Sequence, residues 1–267
     1  MRGYVDAYVI TPCRDWLAGI GQFVVTVSHV VYLLCTTRPR WDLVCTQLYE
    51  IGVRSLGLVC VTGMAIGMVL SAQAFFQLSD KGLTGATGLM VAKSMLVEIG
   101  PVLTAFMITG RVGAAMCAEL GSMRVSEQID AMACMGVQPL CYLVVPRYIG
   151  MAIMMPVLTI FSSTCGIIGG WFIATQLYGM SSQSFFDPIQ VYLNWFDVIC
   201  NFAKSWVFGL LVVSIACYEG MAARNGAAGV GRATTSSVVV TYSTILGANF
   251  VLTIFLNAMY WYVFGFS

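Results

Sequence analysis

Charged residues are scarce in this sequence of 267 residues. Only 9% of the residues are charged and 59% are hydrophobic, with a mean hydropathy of +0.85. Soluble domains carry about 25% charged residues, so this composition excludes an ordinary soluble enzyme. The 13 Lys and Arg nearly balance the 12 Asp and Glu. The chain therefore has no basic surface for the several phosphate contacts that nucleic acids require, and nucleic acid is excluded as a partner.

The sequence also lacks the residue clusters that mark metal and catalytic sites. It has a single histidine, His29, and its ten cysteines include no Cys-x-x-Cys pair. Cysteines in apolar stretches act mostly as small hydrophobic residues, so we expect no metal site. No Gly-x-Ser-x-Gly motif or clustered aspartates appear, which disfavours a hydrolase, protease or phosphotransferase. The run NGAAGVGRATT (225–235) lacks the Lys and Ser/Thr of a phosphate-binding loop and predicts only a flexible loop.

Long uncharged runs are what the sequence has instead. Residues 55–79, 148–186 and 233–267 contain no charged residue, and each run exceeds the roughly 20 apolar residues that cross a bilayer. Hydrophobicity predicts five crossings, near 55–79, 89–121, 148–178, 197–219 and 236–264. The predicted fold class is therefore an all-α integral membrane protein.

A sixth segment, residues 16–37, is long enough to cross but has polar residues through its middle. Trp16 stands at one end and Arg38 and Arg40 follow the other. This pattern favours a helix lying in the membrane interface, and a full crossing is the alternative.

The positively charged residues predict the orientation. With a cytoplasmic N-terminus and five crossings, the outer segments contain only Lys81. The inner segments contain nine arginines: Arg2, Arg14, Arg38, Arg40, Arg54, Arg124, Arg147, Arg224 and Arg232. Since cytoplasmic loops are enriched in Lys and Arg, we expect the N-terminus in the cytoplasm and the C-terminus outside.

Ionisable residues inside the crossings are the first candidate site. Glu98 in the second crossing and Lys204 in the fourth reach a similar depth, with Asp197 about 10 Å further out than Lys204. They either form a structural ion pair or line a polar pocket for a head group, and the sequence leaves both open. For Arg111 and Glu119, near the inner end of the second crossing, we expect a structural role.

Two further features of the crossings have simpler interpretations. The aromatic end of the first crossing (Phe75, Phe76, Leu78) is typical of an interfacial anchor unless it faces a cavity. Glycines at helix-packing spacing, such as Gly63 and Gly67, predict close contact between helices.

The loop between the second and third crossings is the second candidate site. In residues 122–147, Ser126, Glu127 and Asp130 are predicted to open a short amphipathic helix that stops at Gly136, before Pro139. Such a helix either docks a soluble partner or simply connects the crossings.

From about residue 45 onward, the sequence resembles a known family. GMVLSAQ (67–73), the long run VEIGPVLTAFMITGRVGAAMCAELGSMRVSEQIDAMACMGVQPLCYLVVPR (97–147), KSWVFG (204–209) and GVGRATTSSVVVTY (229–242) resemble the MlaE family. Members of this family are permease subunits of lipid-transporting ABC systems. The resemblance implies a cytoplasmic N-terminal part with an interfacial elbow helix (1–54), and a permease domain with five transmembrane helices (55–267).

The resemblance also implies partners and a substrate. It implies a homodimer in the bacterial inner membrane, two cytoplasmic ATPase subunits that bind ATP and Mg, an outer ring of MCE-domain lipid-binding proteins, and phospholipid as substrate. This chain itself would hold no cofactor. Arg124, Glu127, Asp130, Met132 and Gly136 would belong to a coupling helix that enters a groove of the ATPase.

The lipid would occupy an apolar cavity between the first, second and fifth crossings. Its lining would include Phe75, Phe76, Leu78, Glu98, Asp197, Lys204 and Asn249. Some members have a basic residue before the glutamate of the EIGP stretch and an acid in the fifth crossing, where this chain has Val97 and Asn249. The alternatives to a lipid permease are a secondary transporter of an amphiphile, for which no internal repeat is found, and an integral-membrane lipid-modifying enzyme.

Overall fold

The structure is a computed structural model that describes residues 40–264 and, before them, residues 21, 25, 27–30, 32 and 33. Counting π-helical turns with the helix that contains them, residues 40–264 form seven helices and no β-strand. These are α1 (Trp41–Ser79), α2 (Thr84–Val125), α3 (Gln128–Cys134), α4 (Leu140–Gln176), α5 (Ser182–Tyr192), α6 (Trp195–Ala222) and α7 (Gly226–Phe264). Five of them, all but α3 and α5, are long and apolar enough to cross a membrane. The predicted all-α membrane fold is confirmed.

The long helices extend beyond the apolar runs that predicted them. α1 begins at Trp41 rather than near residue 55, because Val44 and Ile51 are buried against the bundle, while Glu50 and Arg54, one helical turn apart on the exposed side, pair at 2.8 Å. Such a pair stabilises a helix and lets charged residues continue it. At its other end α1 stops at Ser79, where the uncharged run also ends.

The prediction of a flexible loop over residues 225–235 is wrong. α7 begins at Gly226 and includes Gly229 and Gly231 in regular helix. The chain reverses direction at Asn225 and Gly226, whose φ angles are 67° and 71°, in the left-handed region that ends helices. The alanines of this run are strong helix formers, which offsets the cost of the two glycines.

Most of residues 16–37, the predicted interfacial helix, lies outside the described residues. The described positions within this segment are helical. Val30 is 1% exposed and packs in the main hydrophobic core. The choice between an interfacial helix and a crossing stays a prediction.

The closest helix packing joins α1 to α4, as the glycine spacing predicted. A Cβ atom on Gly67 would overlap the carbonyl oxygen of Gly166, and one on Gly63 would lie 2.5 Å from the carbonyl oxygen of Ser162. Only glycine allows the two backbones this near, which is how helices associate where lipid removes the hydrophobic driving force. α1 and α4 therefore form a tightly packed pair around which the other crossings assemble.

The core lies between α1, α2, α4 and α6, and includes the buried side chains of Ile51, Ile108, Met155 and Phe208. By contrast, α7 packs against α6 and α2 and leaves large apolar side chains exposed on the rest of its surface. Phe250, for example, is 68% exposed. A surface of this kind belongs in lipid or against another protein.

Four π-helical turns interrupt the long helices within the described residues. They are Tyr49–Val53 in α1, Met95–Ile99 and Thr109–Gly113 in α2, and Leu140–Val144 at the start of α4. The first three contain Glu50, Glu98 and Arg111. Three of the ionisable residues of α1 and α2 therefore lie at irregular turns, which occur often at functional sites, while others such as Arg54 and Glu119 lie in regular helix.

Candidate functional site

Glu98 and Lys204 form an ion pair between α2 and α6, with Nζ 2.7 Å from Oε1. Lys204 is 1% exposed on its side chain. Its ammonium also donates to the carbonyl oxygen of Val97 at 3.0 Å and to the Thr253 hydroxyl at 2.8 Å. An ammonium has three N–H donors, so all the donors of Lys204 are used within the protein.

The carboxylate of Glu98 is the accessible member of the pair. Its side chain is 37% exposed, and it accepts hydrogen bonds from Asn249 Nδ2 at 3.1 Å and from the Thr253 hydroxyl at 3.1 Å. The other amide atom of Asn249, Oδ1, is buried without a hydrogen-bond partner among the described residues. We call Glu98, Lys204, Asn249 and Thr253 the polar cluster. It joins α2, α6 and α7 and presents oxygen acceptors, not a free ammonium, to its surroundings.

The sequence around Glu98 explains why a lysine can be buried here. Pro101 has no N–H to donate to the carbonyl of Val97 four residues earlier, and that carbonyl accepts from Lys204 instead. The two preceding carbonyls are used in the same way. Asn201 donates to Leu96 at 2.7 Å and Ser163 donates to Met95 at 3.2 Å. The π-helical turn thus offers backbone oxygens to side chains of α4 and α6.

Asp197 does not join the polar cluster. It lies in the first turn of α6, where its carboxylate accepts from the backbone N–H of Asn194 at 3.1 Å and caps the helix. Lys93 Nζ is 3.9 Å away from the same carboxylate. Asp197 and Lys204 are seven residues apart, so about 10 Å of helix separates the cap from the polar cluster.

The aromatic residues at the end of α1 contact the connection between α4 and α5. Phe75 stacks on Tyr178 with ring centroids 4.4 Å apart, and Phe76 meets the same ring edge-on at 5.4 Å. Leu78 is half-buried beside them. In the described structure these contacts hold an end of the bundle together, and none of them reaches the polar cluster.

The segment around α3 is exposed, and it begins later than predicted. Glu127 adopts a left-handed backbone with φ of 59°, so the helix opens at Gln128 rather than at Ser126. The Ser126 hydroxyl bonds back to the carbonyl of Ser122 and caps nothing. Ile129 is buried and anchors the segment to the bundle. Gly136, with φ of 77°, ends it as predicted.

The proposed coupling residues face outward to different degrees. Glu127, Asp130 and Gly136 are exposed, while Arg124 and Met132 are half-buried. Arg124 Nη1 and Asp130 Oδ1 are 2.6 Å apart, so this pair ties α3 to the end of α2. The segment offers a fixed, polar surface that a partner can contact without unfolding the bundle.

Some contacts at these sites were not predicted. Thr253 follows Asn249 by four residues, a spacing that places both on one helix face, and this spacing was the available signal. Arg147 is buried and pairs with Glu119 at 2.9 Å, and Arg111 donates to the Ser55 hydroxyl. Nothing in the local sequence pairs these residues, because each contact joins separate helices. In the part of the chain that the structure describes, no three His, Cys, Asp or Glu side chains are grouped to hold a metal.

Comparison with known proteins agrees with this architecture. The sequence model described as Permease MlaE matches residues 44–255. A probable ABC transporter permease protein of Synechocystis sp. is 38% identical over 206 residues, covering 77% of this chain and 78% of that protein. The intermembrane phospholipid transport system permease protein MlaE of Haemophilus influenzae is 36% identical over 217 residues, covering 81% and 83%.

A plant protein is related as well. The chloroplastic protein TRIGALACTOSYLDIACYLGLYCEROL 1 of Arabidopsis thaliana is 33% identical over 231 residues, covering 86% of this chain and 66% of that protein. The family model spans most of the chain, and its match includes all four residues of the polar cluster and the whole of α3. The chain therefore belongs to the MlaE family of ABC transporter permeases.

Proposed function

We propose that this chain is the membrane subunit of an ABC system that moves phospholipid between the bacterial inner membrane and the outer envelope. The observation that supports the lipid site is the polar cluster, in which a carboxylate 37% exposed is held among membrane-spanning helices by a lysine whose donors are all used. Ionisable residues inside membrane helices are costly, and they mark substrate pathways by default. The family relative from Haemophilus influenzae, named a phospholipid transport permease, supports the substrate class.

The polar cluster would receive the polar part of the lipid. Because Lys204 has no free donor, a head group would contact the exposed carboxylate of Glu98, and it would reach the buried, unpartnered Oδ1 of Asn249 only if that side chain turned towards it. Both are acceptors, so the favoured contact is a donor or a positive charge on the lipid. The acyl chains would lie along the exposed apolar surface of α7. Phe75, Phe76 and Leu78, in the last turns of α1, would line the cavity at its outer end.

Transport would follow from differential binding rather than covalent chemistry. Two copies of the chain would enclose the lipid, an MCE-domain protein would receive or deliver it on the outer side, and two cytoplasmic ATPase subunits would bind ATP and Mg. Closure of the ATPase dimer would push on the segment around α3 and change the exposure of the cavity. A ligand shifts such an equilibrium only by the difference of its affinities for the two states.

We favour an ABC permease over the two alternatives that the sequence left open, a secondary transporter and a lipid-modifying enzyme. A secondary transporter or a lipid-modifying enzyme would need no exposed segment for a soluble partner, whereas Glu127 and Asp130 lie on one here. Relatives that match this chain over most of their own length are named as permease proteins of transport systems.

The test of coupling replaces both exposed carboxylates of the α3 segment. Glu127→Lys together with Asp130→Lys reverses the charge that an ATPase groove would contact. We expect lipid-stimulated ATP hydrolysis by the co-purified complex to fall to the unstimulated level. The matched control is Asp80→Lys with Asp187→Lys, two exposed carboxylates at the opposite end of the bundle, and it should hydrolyse ATP as the parent does.

Two results would contradict the proposal. Unchanged stimulation in the α3 variant, with its melting temperature equal to that of the parent, would remove the coupling role. Failure of the parent to co-purify with a co-expressed ATPase would remove the ABC mechanism for this chain.

A further inference from the structure

A second polar site lies between α1 and α2, at the end of the bundle where α3 is attached. Here the two helices border a half-open cavity of about 300 Å³. Its polar lining comes from Gln47, Glu50 and Arg54 on α1 and from Arg111 and Glu119 on α2. Arg111 and Glu98 are 13 positions apart on α2, so about 20 Å of helix separates this cavity from the polar cluster.

The charges of the cavity are unequally satisfied. Glu50 pairs with Arg54 at 2.8 Å, and Glu119 pairs with Arg147 at 2.9 Å. Arg111 has no carboxylate partner within the described residues, and the neutral hydroxyl of Ser55 accepts its hydrogen bond. A guanidinium has five N–H donors. Counting Arg147 just outside the cavity as the partner of Glu119, three guanidiniums face two carboxylates, so Arg111 is the positive charge without a carboxylate partner in the part of the chain that the structure describes. It has donors to spare, in contrast to the fully used donors of Lys204.

Both walls of the cavity are built from irregular helix. The π-helical turn Tyr49–Val53 supplies Glu50 on one side, and the π-helical turn Thr109–Gly113 supplies Arg111 on the other. Such turns persist where function offsets their cost, and they occur often at binding sites. Apolar side chains, among them Met116 and Ala115, complete the lining. The cavity therefore suits a ligand that has one negatively charged group, to contact Arg111, and an apolar part, to contact the apolar side chains.

We propose that this cavity binds the phosphodiester group of an anionic phospholipid, with Arg111 as its principal contact. A phosphodiester has one negative charge, which matches the one unpaired guanidinium, and arginine binds phosphate oxygens through parallel N–H donors. The inference does not depend on transport, because a lipid that stays in place and is never moved would satisfy it equally well.

The experiment uses phosphatidylglycerol with a photoreactive diazirine on its head group, added to the full-length purified protein in detergent. Labelled peptides are mapped by mass spectrometry. We expect label on the peptides of α1 and α2 that line the cavity, and about a tenfold loss of that label in Arg111→Gln, since a charge-assisted contact is removed. Arg224→Gln, which removes an exposed arginine at the same end of the bundle, should label as the parent does.

A second variant tests the cavity without changing any charge. Ala115 is exposed in the cavity wall, so Ala115→Phe fills the space and leaves the arginines in place. It should lose label to the same extent as Arg111→Gln. Arg111→Gln also removes the hydrogen bond to the Ser55 hydroxyl and could lower the melting temperature for that reason alone. In that case the labelling of Ala115→Phe determines whether the lipid binds in the cavity.

Two further ligands test whether the cavity recognises the phosphodiester of a lipid or free inorganic phosphate. Diacylglycerol with the same diazirine should not label the cavity, and millimolar inorganic phosphate should not displace phosphatidylglycerol. Equal labelling by the diacylglycerol would overturn the phosphodiester assignment, and displacement by phosphate would assign the cavity to the free ion. Undiminished label in Ala115→Phe would place the lipid elsewhere. The assay contains neither ATP nor ATPase, so a failure of the proposed transport would leave its result unaffected.

Discussion

At the scale of single residues, the polar cluster shows how a membrane protein retains a buried lysine. Lys204 lies among apolar helices because Glu98 supplies the opposite charge and Pro101 leaves the carbonyl of Val97 available. A buried charge without a partner costs several kcal/mol, whereas a fully satisfied pair is tolerated. The stability of the fold and the availability of Glu98 to a ligand are therefore linked.

Removing one partner of the pair should destabilise the protein more than removing both. We expect Lys204→Met to lower the free energy of unfolding by about 3 kcal/mol, at the lower end for buried pairs because Glu98 is 37% exposed. Lys204→Met combined with Glu98→Gln should recover most of that loss. Thermal unfolding in detergent measures both variants. A double variant no more stable than the single one would show that the pair is not energetically coupled.

A gentler substitution tests the lipid contact without breaking the ion pair. Asn249→Leu removes the amide that donates to Glu98 and its unpartnered Oδ1, and it leaves Lys204 untouched. We expect about fivefold less photoreactive phospholipid to crosslink at α7, since the Glu98 carboxylate loses the hydrogen bond that Asn249 donates to it. Asn257→Leu makes the same change at an exposed position two turns further along α7. If the two variants crosslink equally, the polar cluster has only a structural role.

At the scale of elements, hydropathy predicted the five crossings because their apolar runs are long and almost free of charge. Hydropathy could not predict that α1 begins before residue 55, because the burial of Val44 and Ile51 and the Glu50–Arg54 pair form only once the helix has folded. Within the polar cluster, Glu98 and Lys204 were predicted from their similar depth in two crossings, Asn249 came from the resemblance, and Thr253 was not predicted. The position of Asp197 was missed because capping of α6 competes with the cluster for its carboxylate.

The contact between α1 and α4 gives the sharpest test of the packing. Gly67→Ala would place a methyl group on the carbonyl oxygen of Gly166, and we expect the free energy of unfolding to fall by about 1–3 kcal/mol. Gly57→Ala on the same helix meets no atom within 4 Å and should be neutral or stabilising by up to about 1 kcal/mol. Circular dichroism during heating compares the two. Equal melting temperatures would mean that α1 and α4 are not held this close.

At the scale of the whole molecule, the two ends of the bundle differ in charge and in what they offer a partner. The α3 end contains the exposed segment with Glu127 and Asp130, the Arg111 cavity and most of the arginines. The opposite end has α5 and the aromatic contacts of Phe75 and Phe76. This asymmetry predicts that the α3 end faces the cytoplasm, where ATP and an ATPase are available.

The orientation of α3 decides whether an ATPase can reach it, since a segment on the outer side of the membrane cannot contact a cytoplasmic subunit. Cys134 is an exposed native cysteine on α3, and Lys81→Cys adds a second thiol at the opposite end. Spheroplasts are treated with a membrane-impermeant maleimide, and modified peptides are identified by mass spectrometry, with Cys134→Ser confirming the assignment. We expect the thiol introduced by Lys81→Cys to be modified in intact spheroplasts and Cys134 to be modified only after detergent solubilisation. Modification of Cys134 in intact spheroplasts would contradict the predicted cytoplasmic location of α3.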